Sequence, residues 1–124
     1  MTSTQDPQPE SHLPLKPVVC LILLSLADEE QHGYALASSV SRMSGGKVRL
    51  ATGPLYRHLQ RLLDDGLVEE SDRRPAPDQD DRRRRYYRLT ELGREVVAAE
   101  TTRMADLVEL SRSLELLGAP GKAR

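Results

Sequence analysis

The stretch Val18–Leu26 is apolar nearly all round, and it constrains the fold more than any other part of the chain. A helix with no polar stripe has no face to give to water, so it must lie at the centre of a core. It is also far too short to cross a bilayer, which takes about 20 residues. The rest of the chain must therefore wrap around it. Pro17 suits the first turn of such a helix, where its missing N–H costs nothing. Asp28, Glu29 and Glu30 end the helix in a polar turn, after Leu26 or Ala27. At 124 residues there is room for one domain and one modest core. The chain has no Trp and no Phe, so that core is built from Leu, Val, Ala, Met and Tyr.

The periods that follow are helical, then extended. Tyr34, Leu36, Ala37 and Val40 space out one apolar face, predicting a second helix over about 33–43. Ser44-Gly45-Gly46 stops it. Lys47 to Leu50 alternates and reads as a short strand. Thr52 stands where an N-cap belongs, with Pro54 just inside a third helix that turns Leu55, Leu59, Leu62 and Leu63 inward. Asp64-Asp65-Gly66 closes it. Leu67–Ser71 and Arg85–Leu89 then read as two strands of a hairpin, with a long polar loop between them. Thr90 and Glu91 open a long helix to about Leu117. Residues 1–13 and 118–124 read as tails, and the first lacks the basic and apolar segments of a signal peptide. The expected fold is mainly α with a small β-hairpin: a winged helix-turn-helix domain over 14–90, with a long C-terminal dimerisation helix over 91–117.

Net charge is −1, which does not announce a nucleic-acid partner, but the charges are polarised. Arg73–Arg88 holds seven arginines against three aspartates, whereas Glu91–Leu117 holds six acidic residues against three arginines. In a helix-turn-helix the second helix enters the major groove, and a basic hairpin loop lies along the neighbouring backbone or minor groove. Thr52, Gly53, Tyr56 and Arg57 form the N-terminal turns of that helix here, and Arg61 lies one turn beyond Arg57. Arg is the commonest side chain to read guanine. Arg82, Arg83 and Arg84 in the hairpin loop suit phosphates, because binding there releases condensed counterions. Lys47 adds a cation just before the helix. Set against this, Arg57 and Arg61 can be an ordinary solvated face, and the loop arginines can be neutralised by Asp78, Asp80 and Asp81.

The segments HGYALASSV, SGGKVRLATGPLYRHLQRLLDDGLVEE and RRYYRLTELGREVV together resemble the PadR family of bacterial transcriptional regulators, from Leu15 to about Ala99. The resemblance is to the shorter branch, with a single C-terminal helix. It implies a homodimeric, usually repressing regulator bound to a pseudo-palindromic operator, and in some members release by a small ligand. It also implies that Tyr34 and Tyr56 contact the DNA backbone.

The long helix bears on assembly. Val97, Met104, Leu107, Leu114 and Leu117 follow three- and four-residue steps and their sums, with Val96, Val108 and Leu110 widening the stripe, on a helix of about 27 residues and about 40 Å. That is more than a small domain can cover, so the stripe is expected to pack on a second copy. The resemblance and the stripe allow a small hydrophobic effector near Val19, Leu23, Met104 and Val108, the alternative there being a dry packed core. No cofactor, metal or membrane partner is indicated. The three histidines are scattered, and no nucleophile stands beside a base, which argues against an enzyme. The one cysteine, Cys20, excludes an internal disulfide and reads as a buried structural thiol in a reducing, cytoplasmic setting. The alternative from another class is a winged-helix protein-interaction module without DNA binding, for which the acidic residues Asp64, Asp65, Glu69, Glu70 and Asp72 argue a little.

Overall fold

The computed structural model describes residues 8–72 and 85–118. Helix α1 spans Pro17–Asp28 and is central, with Ile22 and Leu23 wholly inaccessible to solvent. Helix α2 (Gly33–Met43) packs Leu36 and Val40 against it, and α3 (Thr52–Asp64) adds Leu55, Leu59 and Leu62. Strands β2 (Val68–Glu70) and β3 (Tyr86–Leu89) close the core with Val68, Tyr87 and Leu89. Helix α4 (Glu91–Ser113) contributes Val96 and Val97 from its first half.

The order of helices, wing strands and long helix matches the expected winged helix, with differences that have local causes. The sheet has three strands rather than two. Gln31–His32 forms β1, which pairs antiparallel with β3, so the order is β1-β3-β2. Gln31 is held there by a buried polar chain. Its Nε2 donates to the Ser25 carbonyl at 2.8 Å, and its Oε1 accepts from Ser39 Oγ at 2.7 Å. The strand expected at Lys47–Leu50 is absent; that segment runs as an irregular link, begun by Ser44 Oγ accepting from Val48 N at 2.9 Å. Thr52 is the first residue of α3 rather than its cap. Ala51 occupies the cap and offers the helix no side-chain acceptor.

Residues Pro9–His12, expected as part of a tail, form a 3₁₀ turn packed against α4. The link from that turn to α1 is fastened by Leu15 N, which donates to Glu100 Oε2 at 2.8 Å. Helix α4 ends at Ser113, four residues before the expected end, with Glu115 in the left-handed region at φ 62°. Thr90 caps its start by accepting from Gly93 N at 3.0 Å, and the Thr90 hydroxyl donates to the Gly66 carbonyl at 2.6 Å. Gly93 lies against the Leu67 carbonyl so closely that a Cβ there would overlap its oxygen. Cys20 is buried, and burial together with nearby Glu100 pushes its thiol up, away from the reactive thiolate.

Candidate nucleic-acid interface

Helix α3 is sharply two-sided. Leu55, Leu59 and Leu62 face the core, while Thr52, Gly53, Arg57, Gln60 and Arg61 are exposed. Its N-terminus carries no side-chain cap, so the first-turn N–H groups are open to an outside acceptor. The Arg57 guanidinium reaches back over that turn; a Cβ on Gly53 would sit 3.7 Å from its Nη1. Donors from backbone and side chain thus converge on one end of the helix, where the helix dipole also favours negative charge.

The two flanks of α3 differ. On the wing side, half-buried Tyr56 lines a cleft of about 310 Å³ with Gln60, Glu70 and Arg85. On the other side, Arg57 and Arg61 border a groove of about 380 Å³ shared with the segment before α1, including His12, Leu15 and Lys16. His58 faces this groove, and its imidazole is held below the usual range, first by burial and then by the charges of Lys16 and Arg57. Arg61 approaches Asp65 at 3.6 Å but stays 81% exposed, so this pair is water-screened and easily broken.

The remaining expected residues lie apart. Lys47 is exposed in the link before α3, with Arg49, which the sequence reading passed over. Tyr34 is exposed at the start of α2, where its ring meets His32 edge-on; His32 in turn meets Tyr86 of the wing. His32 also caps α2, its Nδ1 accepting from Ala35 N at 3.2 Å. Gln60, also passed over, is exposed near the middle of α3 and donates to Asp64 at 3.0 Å. Nothing in its spacing separates it from a solvated helix residue; only its neighbours do.

Arg82, Arg83 and Arg84, like Arg73 and Arg74, fall outside the described residues. The wing arginines at the root of that loop are engaged within the sheet. Arg88 Nε donates to Glu69 Oε2 at 2.8 Å, and Arg88 also lies 3.8 Å from Glu30; Arg85 lies 3.5 Å from Glu70. The Glu69 hydrogen bond holds the Arg88 guanidinium above its already high range. Both arginines are more than a third exposed, so these pairs are partly water-screened.

Among the expected assembly residues, Val97 requires correction: it is 5% exposed and belongs to the domain's own core. Met104, Leu107, Val108 and Leu114 are exposed, with Leu110, Leu116 and Leu117 beside them in sequence. Leu23, expected at an effector site, is fully buried, so the core leaves it no surface to offer a ligand. No helix among the described residues is long and apolar enough to cross a membrane.

A two-sided helix behind a braced three-stranded wing is a form many proteins share, and family membership rests on sequence. Residues 22–99 match the Transcriptional regulator PadR-like family. The chain belongs to that family. This PadR-family chain is 42% identical over 97 residues to the transcriptional regulator Rv3488 of Mycobacterium tuberculosis, covering 78% of this chain and 79% of that one. It is 38% identical over 87 residues to an uncharacterized 37.1 kDa protein in transposon TN4556 of Streptomyces fradiae, covering 70% of this chain but only 23% of that protein. The crystal structure of a PadR-like transcriptional regulator from Bacillus cereus superposes with a TM-score of 0.64 at 22% identity, covering 82% of this chain and 93% of that one. At that identity the likeness speaks for the fold. The PadR family is one of transcriptional regulators, and this member is a regulator rather than an enzyme.

Proposed function

We propose that this PadR-family regulator is a homodimeric repressor that reads a pseudo-palindromic operator through α3 and is released from it by a small ligand. The observation that carries the reading is the open N-terminal turn of α3, with the Arg57 guanidinium drawn back over Gly53. Thr52 and Gly53 would anchor phosphate, Arg57 and Arg61 would reach base edges, and Lys47 and Tyr34 would contact the flanking backbone, whereas the Tyr56 hydroxyl is buried and would reach a phosphate only by turning outward. Arg82, Arg83 and Arg84 would follow the backbone or minor groove beside the wing. In this reading residues 14–90 form the DNA-binding domain. The helix beyond Val97 joins two copies through Met104, Leu107, Val108 and Leu114, and so offers two α3 helices to successive major grooves.

Binding of the protein to duplex DNA from its own promoter region, followed by fluorescence anisotropy across a salt series, tests the reading. Affinity should fall steeply with salt. Replacing Arg82, Arg83 and Arg84 together by Ala should flatten the log–log slope by up to about 0.9 per lost phosphate contact. Arg57→Ala should alter sequence preference rather than weaken all duplexes alike. Absence of salt-dependent binding would favour the rival reading, a protein-interaction module. The observation on that rival's side is the pairing of Arg85 and Arg88 with acidic neighbours.

A further inference from the structure

His32 belongs to two elements at once. It ends β1, where its backbone faces Tyr86 of β3, and it caps α2, its Nδ1 accepting from Ala35 N at 3.2 Å. An acceptor at Nδ1 places the ring proton on Nε2 and fixes the plane of the imidazole against the first turn of the helix. That plane decides what the ring can touch. Tyr86 meets it edge-on, with ring centroids 5.4 Å apart and planes at 84°, and Tyr34 meets it likewise at 6.3 Å and 82°. Both distances fall within the roughly 4.5–7 Å over which edge-to-face rings attract. The rings form a row from the root of the wing to the exposed start of α2.

The two ends of that row are differently placed. Tyr86 is half-buried and opens β3 directly after Arg85, at the end of the basic segment. Tyr34 is 46% exposed in the first turn of α2. Burial accounts for the inner ring of the row but not for a tyrosine held on edge at the surface. We propose that His32 is a positioning residue for DNA contact: its imidazole keys Tyr34 of α2 to Tyr86 of the wing, so that the two elements packed against α3 meet the DNA backbone at a set separation. The proposal rests on the reading of Tyr34 and the wing as DNA-contacting, whereas the row of rings stands apart from it. β1 is two residues long, so the ring contact gives the wing a second attachment to α2 beside that short ladder. A side chain ordered before its partner arrives gives up less freedom on binding, an effect of about two- to tenfold in affinity.

Capping and ring contact can be separated by substitution. His32→Ser keeps a side-chain acceptor at the N-cap and removes the ring, while His32→Phe keeps a ring and removes the acceptor. Duplex DNA from the protein's own promoter region is titrated by fluorescence anisotropy, with melting temperatures taken alongside. His32→Ser should hold its melting temperature better than His32→Phe, yet bind duplex about two- to tenfold more weakly than the wild type. His32→Phe, measured well below its melting temperature, should bind like the wild type. Affinity and stability then rank the two variants in opposite orders, which a residue that only caps α2 cannot produce. Wild-type affinity in His32→Ser overturns the proposal, as does a loss in His32→Phe as large as in His32→Ser. A further measurement needs no DNA. In protein labelled at its tyrosine rings, Tyr86→Leu should loosen the Tyr34 ring as seen by NMR relaxation, and should have no such effect in the His32→Ser background. A Tyr34 ring indifferent to Tyr86→Leu overturns the coupling. If the wild type binds no duplex while that coupling is present, the DNA reading fails and the positioning of Tyr34 by His32 stands.

Discussion

The backbone N–H of Leu15 donates to Glu100 Oε2 at 2.8 Å, tying the segment before α1 to the middle of α4 across 85 residues of sequence. The Glu100 carboxylate is wholly inaccessible to solvent, and Arg103 grips it from outside, Nε at 2.7 Å and Nη2 at 3.1 Å. Its position closes the domain: the 3₁₀ turn, the start of α1 and the last buried turn of α4 meet there.

Glu100 should therefore register in the acid stability of the protein. The Arg103 hydrogen bond lowers the carboxyl, burial opposes it, and the Leu15 N–H lowers it further; the net is downward. A group depressed on folding contributes stability in full above the unfolded carboxylate range and loses it as pH falls through the lower folded value. Urea midpoints measured from neutral to acid pH should fall in the wild type. Glu100→Gln should cost about 1.5–3 kcal/mol at neutral pH, and its midpoints should vary less with pH. A variant with unchanged neutral stability would show that the link contributes nothing.

Gly93→Ala offers a test in which two effects have opposite signs. Inside a helix, Ala is favoured over Gly by about 1 kcal/mol. Here the new Cβ would overlap the Leu67 carbonyl oxygen, which cannot yield because it also accepts from Thr90 N at 3.1 Å. Overlap should win, with a loss of roughly 3 kcal/mol or more and a clearly lower melting temperature. A neutral or stabilising result would mean that α4 can shift freely on the wing.

The chain from Ser25 through Gln31 to Ser39 supports β1 from beneath. Gln31→Ala removes the partner of both the Ser25 carbonyl and the Ser39 hydroxyl in a buried setting, and should cost about 1–3 kcal/mol. Ser39→Ala removes the bond to Gln31 and a long one from Arg42 Nη2 at 3.4 Å, and should cost about 1 kcal/mol. Chemical denaturation of both variants gives the ranking, and the reverse order would contradict this account of β1.

Assembly through α4 can be read by size. Light scattering should report near twice 13.9 kDa for the wild type. Replacing Leu107 and Leu114, which are 49% and 59% exposed in the single chain, by Glu should bring the mass to that of one chain with helix content retained. A wild-type monomer at micromolar concentration, or a dimer that persists in the double variant, would rule out this face.

Helices α2 and α3 could be read from their apolar periods, because each buries one coherent face, and α1 from being apolar nearly all round. β1 could not. Gln31-His32 is a polar pair in a polar turn, and it becomes a strand only because Tyr86 and Tyr87 pass alongside. The stripe of α4 was legible, but where it changes from core to surface was not. Val97 and Met104 look alike to a periodicity, and only the packed domain beneath separates a residue that is 5% exposed from one that is 36% exposed. Glu100 was missed because a carboxylate in a helix ordinarily means solvent; its burial depends on a backbone N–H far away in sequence. At α3, Arg57 and Arg61 were found by residue type, while the groove they share with Lys16 is a product of the fold.

The contact of Gly93 with the Leu67 carbonyl also bears on geometry at longer range. With no side chain between them, the first turn of α4 meets the root of the wing backbone to backbone, which sets the direction in which the helix leaves the domain. In the proposed dimer, the angle set at that joint becomes a ruler. It fixes the separation of the two α3 helices against the helical repeat of DNA, about 34 Å for neighbouring half-sites. One missing methyl group would then dictate the spacing of the operator.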